Sequence, residues 1–261
     1  MDSMYRRIFL FTFTVVLFFL VSCVNEEGLD AFEEGIGSID VELRSMASTR
    51  ATSKPLSAEE AENFLITIYR GEEPVHETML LKNLGNASFP AGNGYRVYAE
   101  NCTEEEAESA NNGWGQRHYA GKSTAFSIRA GETTKVEVNC SVVNSGISVN
   151  FNEDIQNTYN NYSLTISDGN RIIIFNKERQ GDIAYFNVSD NGEHTINYSI
   201  HAEGEGVETI DKSGTKTLEK AKVSRINIKH STTGTIGLTI LVDEEFIEKE
   251  EEITIDPEDN E

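Results

Sequence analysis

Apolar and polar residues alternate along most of this chain. From Gly37 to Ser45, Ile39, Val41 and Leu43 alternate with polar neighbours, the period of a half-buried strand. Residues 46–55 (MASTRATSKP) are rich in Ser and Thr without an apolar period and read as a loop. Ala58 to Glu62 favours helix, for a turn or two. Phe64, Ile66 and Ile68 then begin a strand, Met79 to Leu84 a further short one, and Tyr95 to Ala99 resumes the period of two after the turn cluster Phe89–Gly94. Thr103 to Gly115 is acidic, then rich in Asn and Gly, and reads as a long loop with room for one helical turn. A hairpin is predicted where Phe126 and Ile128 lead into Ala130-Gly131-Glu132-Thr133 and Val136, Val138, Cys140 and Val142 lead out, because Gly131 permits a tight connection.

The second half continues in the same manner. Ile147, Val149 and Phe151 alternate after Asn144-Ser145-Gly146. Tyr162, Leu164 and Ile166 precede Ser167-Asp168-Gly169-Asn170, and Asp-Gly between alternating runs predicts a hairpin with Arg171 to Phe175 as its return. Ile183 to Val188 is predicted to pair with His194 to His201, and Val223 to Lys229 and Ile236 to Val242 complete the set. Short strands at regular spacing predict an all-β chain of two tandem antiparallel sandwich domains, at 37–143 and 144–243. An internal echo agrees with tandem domains: residues 135–140 and 147–151 parallel residues 225–230 and 236–240.

The N-terminus follows another rule. Arg6 and Arg7 precede an apolar run from Ile8 to Val21, the charged and apolar regions of a secretory signal, and the run is short for a membrane span, which needs roughly 20 residues. Its end, Leu20-Val21-Ser22-Cys23, resembles the lipobox of bacterial lipoproteins, in which the signal is cut before a cysteine that then carries acyl chains. Residues 1–22 are therefore expected to be a signal peptide, Cys23 a lipidation site and 23–36 a tether. Glu26-Glu27 resembles the short signal that sends lipoproteins of some Gram-negative gut anaerobes to the cell surface. The expected location is the outer membrane, at the cell surface or otherwise on the periplasmic face.

Charge narrows the partners. The net charge of −22 opposes binding to nucleic acid, which needs a basic surface. The membrane is expected as a partner only through the lipid. Residues 244–261 are strongly acidic and read as a solvated tail. Once Cys23 is assigned to lipid, Cys102 and Cys140 remain. An even pair in an oxidising compartment predicts a disulfide; two separately buried thiols are the alternative, since Cys140 shares a face with Val136 and Val138.

No catalytic constellation emerges. His76, His118, His194, His201 and His230 are scattered outside any metal pattern, and there is no nucleophile elbow, P-loop or dinucleotide fingerprint. Neither an enzyme, a cofactor nor a metal is expected. One stretch, Asn111 to Tyr119, holds the single tryptophan between glycines. Trp114 and Tyr119 with Asn112 and Gln116 form a candidate glycan platform of ring faces and amides. The rival expectation, preferred here, is that Trp114 folds back to plug one end of a sandwich.

Two segments carry a family resemblance: Ala91-Gly-Asn-Gly-Tyr-Arg-Val-Tyr-Ala99, and Tyr119 to Cys140 with its F-x-I-x-A-G-x-T-T-x-V-x-V-x-C pattern. With the lipobox and the Ile147-Ser-Val149 strand, the chain resembles the lipoprotein family called domain of unknown function 4493, over about residues 36 to 242. The resemblance implies immunoglobulin-like or transthyretin-like sandwiches similar to fimbrillins, and no enzymatic activity. It implies a structural, adhesive or fimbria-associated surface module whose partner is an envelope protein; a carbohydrate-binding accessory using the Trp114 loop is the alternative, with a glycan partner. The family often has Pro-Tyr where this chain has His118-Tyr119, and many members carry a further C-terminal domain where this chain has its acidic tail.

Overall fold

The computed structural model describes residues 34–45, 54–189, 192–230 and 236–243. The signal peptide, Cys23 and the acidic tail lie outside the described residues. No described helix is long and apolar enough to cross a membrane.

The first group of strands comprises β1 (Ile36–Ser45), β2 (Leu65–Arg70), β3 (Gly92–Glu100), β4 (Tyr119–Lys122), β5 (Phe126–Ile128) and β6 (Thr133–Val142). They join one sheet in the order β1-β6-β4-β3-β2, with β5 on β3 and two-residue strands along its margins. Alternation works as the sequence requires. Ile39, Val41, Leu43, Ile66, Ile68, Tyr95, Val97, Val136 and Val138 turn inward and share one core with Phe64, Leu84 and Phe89. A short helix, α1 (Ala58–Ala61), is closed by a Ser57–Glu60 capping box. The segment from Met79 to Leu84, expected as a strand, is extended only at Met79–Leu80 and then winds into a 3-10 helix.

The second group comprises β7 (Ser145–Phe151), β8 (Asn161–Ser167), β9 (Ile172–Phe175), β10 (Ile183–Phe186), β11 (Glu193–Glu203), β12 (Ile210–Glu219), β13 (Val223–His230) and β14 (Ile236–Asp243). One four-stranded sheet runs β10-β7-β13-β14 and another β9-β8-β11-β12. Ile147, Val149, Phe151, Phe186, Ile226 and Ile228 from the first meet Leu164, Ile166, Phe175, Ile196, Ile200 and Leu218 from the second in a separate core. A helical segment, α3 (Glu153–Thr158), adds Ile155 to it.

The strand pairing differs from the one the sequence predicts in three respects. First, the sheets are not purely antiparallel: β1 runs parallel to β6, from Ser38↔Thr133 to Ser45↔Cys140, and β7 runs parallel to β13. Parallel neighbours need long connections, so partners far apart in sequence leave no local turn to reveal them. Second, β5 and β6 do not form the predicted hairpin; β5 pairs with β3. Strand β1 takes the place beside the turn, with the Gly131 N–H donating to the Ile36 carbonyl at 2.8 Å and the Ser38 N–H to the Glu132 carbonyl at 2.9 Å. The approach is so close that a Cβ on Gly37 would lie 2.3 Å from the Arg129 carbonyl oxygen. Third, β10 pairs with β7 rather than β11, so the chain between them crosses from one sheet to the other. The Asp168-Gly169 hairpin of β8 and β9 forms as predicted, and the expected strands β13 and β14 pair with each other.

Strand β12 was not predicted. Its one buried apolar residue is Leu218, while Lys212 and Lys216 stand opposite Ile200 and Ile196. It is a sheet edge, where lysines on the core-facing positions discourage pairing with another chain. Gly214 lies beneath Tyr198, whose hydroxyl would be 2.5 Å from an added Cβ.

Candidate functional site

The segment expected as a long loop contains a helix, α2 (Glu104–Gly113). A capping box starts it: the Thr103 N–H donates to Glu106 Oε2 at 2.9 Å, and the Glu106 N–H donates to Thr103 Oγ1 at 3.2 Å. The helical turns stop at Ala110, and Asn111 and Asn112 adopt left-handed φ values of 54° and 57°. Asparagine tolerates that region better than most side chains. The Asn111 side-chain amide closes the turn by donating to the Gly115 carbonyl at 2.9 Å.

This excursion leaves the first sheet after β3, returns to it at β4, and docks on the second group of strands. The Tyr185 N–H in edge strand β10 donates to the Trp114 carbonyl at 2.8 Å. Gly115 is held at φ +76°, where an added Cβ would meet the Tyr185 carbonyl oxygen at 2.6 Å, so only glycine allows this approach. The Asn187 side chain donates to the Glu104 carbonyl at 2.8 Å, and Arg117 Nε donates to the Tyr185 hydroxyl at 3.0 Å.

Arg171 ties the dock together. Its Nε donates to Asp168 Oδ2 at 2.9 Å, and its Nη1 donates to the Glu108 and Gly113 carbonyls at 2.8 and 2.9 Å. Nη2 donates to the Tyr185 carbonyl and faces Glu108 Oε1 at 3.2 Å. Four of the five guanidinium N–H groups are thus hydrogen-bonded, and the cation lies 4.5 Å from the centre of the Phe186 ring. Asp168 also accepts the backbone N–H groups of Asn170 and Arg171. Burial pushes its pKa up, but the Arg171 hydrogen bond and these backbone donors outweigh that and hold it below the ordinary 3.8.

Asn144 pins the linker between the two groups. It is 2% exposed, accepts the His118 N–H at 3.1 Å and donates to the Gln116 carbonyl at 2.7 Å. Its own carbonyl accepts the Ala221 N–H at 2.9 Å. His118, also 2% exposed, sets Nε2 at 3.0 Å from Glu100 Oε2.

The four candidate glycan residues are divided among these contacts. Trp114 is half-buried against the second core, edge-on to Phe175 at 4.8 Å, with the Arg179 guanidinium 3.8 Å from its ring centre. Tyr119 packs on the first core, and its hydroxyl accepts from Arg117 at 3.4 Å. Gln116 supplies its carbonyl to Asn144, and Asn112 is an exposed turn residue. The two rings therefore serve different cores.

Cys102 and Cys140 are free and buried, in place of the disulfide the sequence suggested. The Cys140 thiol points into the first core toward the Ala99 carbonyl at 4.0 Å, and burial pushes its pKa up to about 12. Cys102 lies beyond the end of β3, its thiol directed at Asn101 Oδ1 at 3.5 Å, and burial raises its pKa too. Among the described residues, no group of three or more His, Cys, Asp or Glu could hold a metal ion.

Sequence reasoning missed Arg171, Tyr185 and Asn144. The Thr103-x-x-Glu106 spacing is the signal that would have revealed α2.

The class defined by this architecture is a mostly β protein with several sheets and two cores, joined by a buried polar seam. The chain belongs to the family described as Domain of unknown function (DUF4493), whose model matches residues 35–257. No curated protein matches it. Among solved structures it is similar to a fimbrial assembly protein from Parabacteroides distasonis, with 12% identity and a TM-score of 0.42 over 81% of this chain and 99% of that one. It is also similar to the fimbrial anchor protein Mfa2 from Porphyromonas gingivalis, with 8% identity and a TM-score of 0.38 over 79% of this chain and 97% of that one.

Proposed function

We propose that this protein is a non-enzymatic lipoprotein of the outer membrane, displayed at the cell surface as a structural, adhesive or fimbria-associated module. The observation that carries the reading is the run from Arg6 to Cys23, which has the order of a lipoprotein signal, followed by Glu26-Glu27. Behind it stand two tandem sandwich domains of the immunoglobulin-like or transthyretin-like kind, with the boundary at Val143–Asn144. Support for that division comes from the two separate cores and from the repeated parallel pairing of β1 with β6 and of β7 with β13. The echo between residues 135–140 and 225–230 falls on β6 and β13, each the parallel partner of the first strand of its half.

The partner we infer is another envelope protein. The glycan alternative draws no support from the Trp114 ring, which packs edge-on to Phe175 with the Arg179 guanidinium over it. Two measurements on intact cells test the reading. A clickable fatty acid should label the protein and fail to label Cys23→Ala, and added protease should digest the unmutated protein. Equal labelling of both forms refutes the lipid anchor, and full protease resistance refutes surface display.

A further inference from the structure

The segment from Thr103 to Gln116 belongs to the first group of strands by sequence, yet neither α2 nor Trp114 joins the first core. Ala107 is fully buried, and Trp114 packs on the second core. Its polar groups point the same way: the carbonyls of Glu104, Glu108, Gly113 and Trp114 all accept donors from residues 171–187. The described residues from Glu34 onward form one unit, with no division between the cores.

We propose that this segment is a strap that locks the two cores into one cooperative body, with Arg171 as its catch. The catch is suited to the task on three counts. The Glu108 carbonyl that it binds lies in the last helical turn of α2, before the chain leaves helical geometry at Ala110, where helix carbonyls lack partners and the dipole is negative, so a cation there satisfies both needs. Arg171 also joins three separate pieces: the Asp168 turn, the strand β10 at Tyr185, and α2 at Glu108 and Gly113. Finally, its side chain is only 14% exposed, and Asp168 beneath it 2%, so water cannot readily replace the bonds that open. Covering edge strand β10 is a second consequence, since the Trp114 backbone occupies the place another strand would take. Without the strap, covalent continuity at Val143–Asn144, the bond from the His118 N–H to Asn144 and that from Arg117 to Tyr185 would remain to couple the cores.

Hydrogen exchange of the full-length protein, read by mass spectrometry in low denaturant, tests this. Peptides covering β3 report the first core and those covering β8 the second. In the unmutated protein both should exchange in the same opening event, with matched denaturant dependence. Arg171→Met should separate them, changing the ratio of their protection factors by roughly tenfold or more. Arg171→Lys keeps the charge but offers a compact ammonium in place of the planar fork, so it should give a smaller change in the same direction. Gly115→Ala pushes the strap from the Tyr185 carbonyl, the oxygen that also accepts Arg171 Nη2, while keeping the guanidinium, and should reproduce the separation. Cores that still open together in these variants, or an unmutated protein in which they already open separately, would overturn the proposal.

Discussion

Replacing Trp114 with alanine separates the two expectations for the loop that carries it. The ring lies edge-on to Phe175 and beneath Arg179, half-buried on the second core. Truncating a fully buried large aromatic costs about 3–5 kcal/mol, and half-burial reduces that to roughly 2. The edge-to-face pair with Phe175 contributes about 0.5–1.5 kcal/mol beyond area, and the Arg179 contact about 0.5–1. These contributions overlap in part, so the expected cost is about 2–4 kcal/mol. For a chain of this size the melting temperature should fall by roughly 5–15 °C.

Differential scanning calorimetry of the full-length protein reads the change directly. Trp114→Phe preserves an aromatic edge for Phe175 and should recover part of the loss. The backbone bond from the Tyr185 N–H to the Trp114 carbonyl survives in both variants, so the difference reports the ring. A Trp114→Ala protein that melts within about 1 °C of the unmutated form would refute the packing role, since about 2 kcal/mol should move the midpoint several degrees. The same protein should pass through columns of immobilised glycans as the unmutated one does.

Two further predictions concern the buried titratable groups. Cys102 and Cys140 should react slowly with iodoacetamide in the native protein at pH 8, because burial keeps both protonated, and both should react in denaturant without reductant; two blocked sulfurs in that sample would reveal a disulfide instead. Asp168 has a folded pKa below its ordinary 3.8, so its contribution to stability is complete above the unfolded value and lost as pH falls through the folded one. Urea midpoints below about pH 4 should therefore fall less steeply for Asp168→Asn than for the unmutated protein; parallel curves would show that the carboxylate is not held by Arg171.

The strands were legible because each core is built from period-two alternation, and Ile39–Leu43, Leu164–Ile166 and Ile226–Ile228 bury the residues that the pattern selects. Pairing was less legible. A turn such as Ala130-Gly131 announces a change of direction but not the strand that returns beside it, and here β1 arrives from almost a hundred residues earlier. Strand β12 escaped because an edge needs few apolar residues, so Lys212 and Lys216 erase the pattern that defines its neighbours. The seam was least legible. Asp168 reads as a turn residue and Arg171 as the start of a strand, and both descriptions are correct. Their second role depends on carbonyls more than fifty residues away.

The position where this chain departs from the Pro-Tyr pattern shows how local sequence and the seam meet. A proline has no backbone N–H to offer. Here residue 118 is a histidine whose N–H donates to Asn144, the side chain that fastens the linker between the two groups of strands. The same residue accepts the Val143 N–H on its carbonyl, and its ring faces Glu100 in β3. Asn144 in turn holds the Gln116 carbonyl at the end of the strap and the Ala221 N–H in the turn before β13. A proline at 118 would leave the Asn144 oxygen without that donor inside a buried site, which costs about 1–3 kcal/mol when no other partner reaches it. The histidine is thus more than a loop substitution: through one N–H and one ring it connects the first sheet, the strap and the linker at the point where the two cores meet.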